Sequence, residues 1–123
     1  MAIGKIQQVT LPFPSTWDLH AGVGRRPMRS AKLVINSVMN NRVNGTVNFR
    51  GTPLPIEGVW DEAAKQIQFE TPFATYVGQL SSFDEPTINM RHYMMRGSLR
   101  MKPPSTWAGE TGSWAATTSF RMR

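Results

Sequence analysis

Five times along this chain a glycine is followed two residues later by a large apolar residue, each time in a segment that reads as a β-strand. The five are Gly45-Thr46-Val47, Gly58-Val59-Trp60, Gly78-Gln79-Leu80, Gly97-Ser98-Leu99 and Gly112-Ser113-Trp114. Residues i and i+2 of a strand share a face, so each glycine lies on the face that carries the bulky side chain. A missing side chain there lets strands coil tightly, or lets another backbone or a ligand approach. The recurrence predicts a small, curved antiparallel barrel.

The rest of the pattern extends this expectation. From Ser30 to Met39, Leu33 and Ile35 fall on one face and Val34 and Val38 on the other, as in a strand covered on both sides. Asn40-Asn41 supplies a turn, after which Val43, Gly45, Val47 and Phe49 alternate with Asn44, Thr46 and Asn48, completing a hairpin. Beyond the turn Arg50-Gly51-Thr52-Pro53, Leu54, Ile56, Gly58 and Trp60 keep the period of two, and Ile67 and Phe69 resume it after Asp61–Lys65. Tyr76, Gly78 and Leu80 follow, and Ser81–Pro86 reads as a polar turn. One long strand is expected from Ile88 to Lys102, with Arg91, Tyr93, Met95, Gly97, Leu99 and Met101 on one face and His92, Met94, Arg96, Ser98 and Arg100 on the other. After the loop Pro103–Thr111, Trp114, Ala116, Thr118, Phe120 and Met122 mark the last strand.

Residues 1–29 are less regular: Ile3–Leu11 and Ser15–Leu19 suit two short strands, and Ala21–Pro27 a flexible basic loop. No segment sustains the spacing of a helix, and consecutive hairpins need no crossover. The expected fold is all-β, one up-and-down antiparallel barrel of about eight strands occupying residues 1–123.

Composition narrows the chemistry. The chain has no cysteine, which excludes a disulfide scaffold, a thiol nucleophile and cysteine-bound metal. A formal charge of +6, carried mostly by arginine, suits an anionic partner. The arginines are scattered over several strands and loops, however, which argues against a nucleic-acid footprint. Met1–Gln8 shows no basic-then-apolar leader and no stretch is long enough to span a bilayer, so neither a targeting segment nor a membrane span is expected, and the compartment stays open.

Several short motifs resemble the avidin-like members of the calycin group, eight-stranded barrels that bind a ligand at one end. Trp17, Leu33-Val34-Ile35 and Val43-Asn44-Gly45-Thr46-Val47 are similar to that family's opening tryptophan, second strand and Gly-Thr-Tyr strand. Val77-Gly78-Gln79-Leu80 is similar to its Thr-Gly-Gln strand, and Trp114-Ala115-Ala116-Thr117 to the start of its last strand. The positions with which the family holds biotin read Leu19, Val47 and Met122 here, so the resemblance implies the barrel without biotin. It also implies a homo-oligomer in which Trp114 reaches into a neighbour's site.

The function expected from these readings is non-enzymatic binding: a barrel cavity or loop-lined mouth that takes a small hydrophobic or anionic ligand, with Trp17, Tyr76, Trp107 and Trp114 as contacts. Arg25, Arg26, Arg96 and Arg100 are the candidate anion or partner contacts. Trp60 is read as core. The alternative is a structural or assembly protein with a filled barrel and arginine-rich contact surfaces. No cofactor or metal is expected, because the methionines around His92 divide between two faces and suit core packing better than copper(I). A weaker enzyme reading, of the isomerase or cyclase kind, would use His20, beside Asp18, or His92 as general base.

Overall fold

Alternation of apolar and polar side chains runs from Ser15 to the end of the chain, and it builds a closed sheet. A computed structural model describes residues 10–122. Its strands are β1 (Ser15–Val23), β2 (Arg29–Met39), β3 (Arg42–Asn48), β4 (Leu54–Asp61), β5 (Gln66–Glu70), β6 (Ala74–Glu85), β7 (Met90–Met101) and β8 (Thr111–Arg121). Each pairs antiparallel with the next and β8 returns to β1, closing an eight-stranded barrel in chain order. Closure removes the sheet edges along the body of the barrel.

The glycines explain how so short a chain closes. A Cβ built on Gly45, Gly97 or Gly112 would stand 1.9 Å from the carbonyl oxygen of Val34, Val77 or Gly22, all on neighbouring strands. On Gly58 it would stand 2.0 Å from the Gln68 carbonyl. Backbones approach more closely at these points than any side chain allows, and the strands coil there. The turn at Asn40-Asn41 has φ of 52° and 67°, the left-handed pair that matches the twist of a two-residue hairpin and that asparagine tolerates.

Two expectations are corrected. Residues 15–29 do not form a short strand and a long loop: β1 runs to Val23 with Ser15, Trp17, Leu19, Ala21 and Val23 all facing inward, and the turn is confined to residues 24–28. Serine and alanine carried the inner face where large apolar residues mark it elsewhere. Ser81–Glu85 is strand rather than turn, because β6 and β7 stay paired from Ala74↔Met101 to Glu85↔Met90. Its polar composition reflects exposure: β5 has no residue opposite β6 beyond Gln79, and β8 none opposite β1 beyond Thr117. The ends of β6, β7 and β8 therefore project as a three-stranded tongue, clasped by a two-point Arg91–Asp84 ion pair with contacts of 2.7 and 3.1 Å. The proposed Ile3–Leu11 strand lies mostly outside the described residues; Thr10 and Leu11 are not in a strand.

The lower half of the barrel is filled by large buried side chains. Trp17, Leu33, Ile35 and Met95 are completely buried, and Trp60 and Leu11 nearly so. The Trp17 indole donates to Ser15 Oγ at 2.8 Å, and that hydroxyl donates to the Pro12 carbonyl at 2.8 Å. Residues 10–14 cross this end. They are latched to the β4–β5 turn by Glu62, whose Oε1 accepts from Thr10 Oγ1 at 2.6 Å and Trp60 Nε1 at 2.7 Å while Oε2 receives Lys65.

Hydrogen bonds from Lys65, Thr10 and Trp60 hold the Glu62 carboxyl at about 2, below its ordinary 4.5. The folded state therefore binds the proton less readily than the unfolded chain. The latch contributes fully above about pH 4.5 and is lost as the pH falls toward 2. Because Glu62 is solvent-exposed, the effect is small. Glu62→Gln is expected to lower the urea midpoint slightly at pH 6 and to flatten its decline between pH 6 and pH 2, as read by tryptophan fluorescence.

Candidate functional site

The upper end is built differently. Four connections meet there, residues 24–28, 49–53, 71–73 and 102–110, and all four line an open cavity of about 540 Å³. Its floor is aromatic: Tyr76 stacks on Phe69 with ring centres 4.7 Å apart and planes 5° from parallel, and Trp114 meets both edge-on at 5.7 and 5.5 Å. Tyr76 faces the cavity, with Phe69 and Trp114 packed behind it. Above this layer the inner positions are Ala21, Val23, Leu54, Ala74, Leu99 and Met101. The two alanines leave unfilled the space that leucine or phenylalanine would occupy, so the barrel interior is hollow here.

Side chains and backbone fix the rim. Thr71 Oγ1 accepts the N–H groups of Phe73 and Ala74 at 3.0 and 3.1 Å, which shapes the short β5–β6 turn. The Phe73 carbonyl in turn accepts the Lys102 N–H at 2.9 Å. Residues 102–110 are closed by Gly109 N–H to Met101 O and Met101 N–H to Glu110 O, each 2.8 Å, with Gly109 at a φ of 92° that favours glycine. That loop carries Trp107 to the mouth. The Arg26 guanidinium lies 3.9 Å above the Trp107 ring and forms a two-point ion pair with Glu110, at 2.5 and 3.2 Å. Beside Arg26, the Glu110 carboxyl is held below its usual range.

The site's electrostatics are one-sided. Among the described residues three charged ones line it, Arg26, Arg29 and Arg50, and no carboxylate does. Arg26 is matched by Glu110 and Arg29 lies 5.7 Å from the Trp107 ring centre. Neither Arg29 nor Arg50 has a carboxylate partner among the described residues. Burial pushes the Tyr76 phenol up to about 12, so at neutral pH it is an uncharged group on the floor.

Of the four aromatic contacts expected from the sequence, Tyr76 and Trp107 line this cavity, while Trp17 and Trp114 do not. Trp17, expected to contact a ligand, is an inward residue of β1 with no exposed surface. Trp114 is 2 % exposed, and its indole N–H is shared between the carbonyls of Val77 and Ser98 at 3.1 and 3.0 Å, so the ring is anchored inside its own barrel and does not reach outward. Leu19 and Val47 are fully buried core residues. Among the four arginines expected to contact anions or partners, Arg26 lines the cavity, while Arg25, Arg96 and Arg100 do not. Arg50 had been visible only as a turn residue. The signal that could have found it is its place just before Gly51-Thr52-Pro53, which makes its connection a mouth loop on the same end as residues 24–28.

A second constellation lies on the outer face of the tongue. His92 Nδ1 is 2.7 Å from Ser119 Oγ and Nε2 is 2.7 Å from Glu85 Oε1, a serine–histidine–glutamate chain that only the β7–β8 and β6–β7 registers bring together. Ser119 and Glu85 are exposed, and His92 and Ser119 line an open recess of about 340 Å³ on this face. Asp18 and His20 do not form the dyad considered from the sequence: Asp18 pairs with Lys32, and His20 Nδ1 lies 3.1 Å from Ser30 Oγ. Among the described residues no group of three or more potential metal-binding His, Cys, Asp or Glu side chains occurs, and no helix is long and apolar enough to cross a membrane.

The chain matches no protein-family model, no curated protein and no solved structure.

Proposed function

We propose that this protein is a non-enzymatic small-molecule binding protein of calycin-like architecture, which takes its ligand into the open upper half of the barrel between Tyr76 and Trp107. The observation that carries this reading is the division of one barrel into a densely filled lower half and a hollow upper half of about 540 Å³. That volume falls within the roughly 300–1,000 Å³ of small-molecule sites. Evenly filled barrels of this size have no such space, so the filled-barrel assembly reading is the weaker one. Self-association is a separate part of the proposal: Phe83, Ile88, Met94 and Phe120 are exposed on the tongue, away from the mouth, where pairing between copies would leave the cavity open.

The test is titration with N-phenyl-1-naphthylamine, an uncharged probe that fluoresces when removed from water. One saturable site per chain is expected. Trp107→Ala, which removes an aromatic wall, is expected to weaken binding about tenfold, equivalent to about 1.4 kcal/mol. Failure of the intact protein to bind, or binding indifferent to Trp107, would overturn the reading. Native mass spectrometry of the same sample reports copy number.

A further inference from the structure

Resting on that reading, we infer that the cavity selects a ligand with an apolar body and a single anionic head, the body seated over Tyr76 and the head held at the rim by Arg29 and Arg50. Three observations converge. The walls below the rim are mostly aliphatic or aromatic and the Tyr76 hydroxyl on the floor is uncharged, so a charge carried down to the floor would be desolvated without a countercharge. Among the described residues the charged side chains that line the cavity are all cationic, and the neighbouring carboxylates Glu110 and Glu70 are already engaged by Arg26 and Lys102. Arg29 and Arg50 also line a second, smaller recess of about 270 Å³ together with Phe49, so two arginines lacking a carboxylate partner among the described residues stand on the same side of the mouth.

Chemistry favours this pairing. A guanidinium presents a planar fork of donors that matches the oxygens of a carboxylate or sulfonate, and it is more weakly hydrated than an ammonium group, so it gives up less on contact. The two arginines stand at the water boundary, where the head keeps part of its hydration and the body alone is buried. An anion of this shape meets apolar surface and opposite charge at the correct separate depths. A cationic amphiphile meets like charge at the rim, and a polar anion without a body leaves the cavity unfilled.

The experiment compares two probes that share one aromatic skeleton, 1-anilinonaphthalene-8-sulfonate and the uncharged N-phenyl-1-naphthylamine, by fluorescence titration of the full chain at low and physiological ionic strength. The sulfonate is expected to bind about tenfold more tightly, with a preference that shrinks as salt screens the rim. Arg29 and Arg50 are exposed, so R29Q/R50Q retains the fold by circular dichroism. It is expected to abolish the roughly tenfold preference, reducing the affinity for the sulfonate far more than that for the neutral probe. Equal binding of the two probes to the unaltered protein would overturn charge selection and leave the cavity reading standing. A sulfonate preference that survives in R29Q/R50Q would place the head elsewhere and overturn this assignment. Failure of both probes would overturn the cavity reading and this inference with it.

Discussion

Replacing Gly97 by alanine is expected to cost the barrel more than about 3 kcal/mol, or to prevent it from folding. A single added methyl group ordinarily costs about 1–3 kcal/mol in a tightly packed interior, because neighbouring side chains shift to admit it. At Gly97 the neighbours are backbone: the Val77 carbonyl oxygen at 1.9 Å and the Gly78 Cα at 2.6 Å. Neither can move without disturbing the pairing of β6 with β7 at Gly78 and Gly97. Against a total stability of about 5–15 kcal/mol for a domain of ordinary size, such a loss is a large fraction of the whole. Ser98→Ala, one residue along on the exposed face, is the control and is expected to stay within about 0.5 kcal/mol of the parent protein in urea unfolding. A Gly97→Ala protein of unaltered stability would refute the claim that close backbone approach closes this barrel.

Removing the Trp114 ring is the second large effect expected. Trp114→Ala should destabilise the protein by about 3–5 kcal/mol, the usual range for deleting a buried aromatic side chain. The ring lies against Gly78, where an added Cβ would stand 2.5 Å from it, and it supports both Tyr76 and Phe69 from behind. Its loss leaves a void below the floor of the cavity and removes the indole N–H that bridges the Val77 and Ser98 carbonyls. Trp114→Phe restores most of the apolar volume without the N–H. It should recover more than half of the loss, which separates the packing contribution from the hydrogen bonds when thermal and urea unfolding of the two variants are compared. If Trp114→Ala unfolds as the parent does, the aromatic layer is not a structural floor.

Much of the fold was legible because the chain repeats one instruction, alternation punctuated by inward glycines, and each repeat agrees with the next. The alternation of Val43, Gly45 and Val47 against Asn44 and Thr46 needs no tertiary information to interpret. Where inner positions are small or polar, as with Ser15 and Ala21 in β1, the same rule operates on residues that also suit loops. The tongue was misread for the opposite reason: Ser81–Glu85 is strand whose sides are exposed, so the expected contrast between inner and outer residues vanishes.

The site was less legible than the fold. Aromatic residues serve equally as core and as cavity wall, and their partners decide which. Trp17 is enclosed because Leu11 and the segment 10–14 cover its end of the barrel, a tertiary closure with no local sequence signal. Trp107 reaches the mouth because a loop carries it there and Arg26 lies over it. Arg29 and Arg50 are 21 residues apart and meet only because β2 and β3 form a hairpin whose open end is the mouth. The hollow itself is lined by the small residues Ala21 and Ala74, brought together from β1 and β6, strands that are not sequential neighbours.

The central claim is that the upper half of this barrel is a binding cavity and the lower half is not. Amide and indole NMR spectra of the ¹⁵N-labelled protein, recorded during titration with N-phenyl-1-naphthylamine, address it most directly because each tryptophan reports from a known depth. The account predicts saturable shifts of the Trp107 indole and of the Val23, Ala74, Tyr76, Leu99 and Met101 amides, with smaller movement at Trp114. The Trp17 and Trp60 indoles, sealed in the lower half by Ser15 and Glu62, should hold their positions. Shifts centred on Trp17 and Trp60, or on the tongue around Phe83 and Phe120 with Trp107 unmoved, would contradict the account.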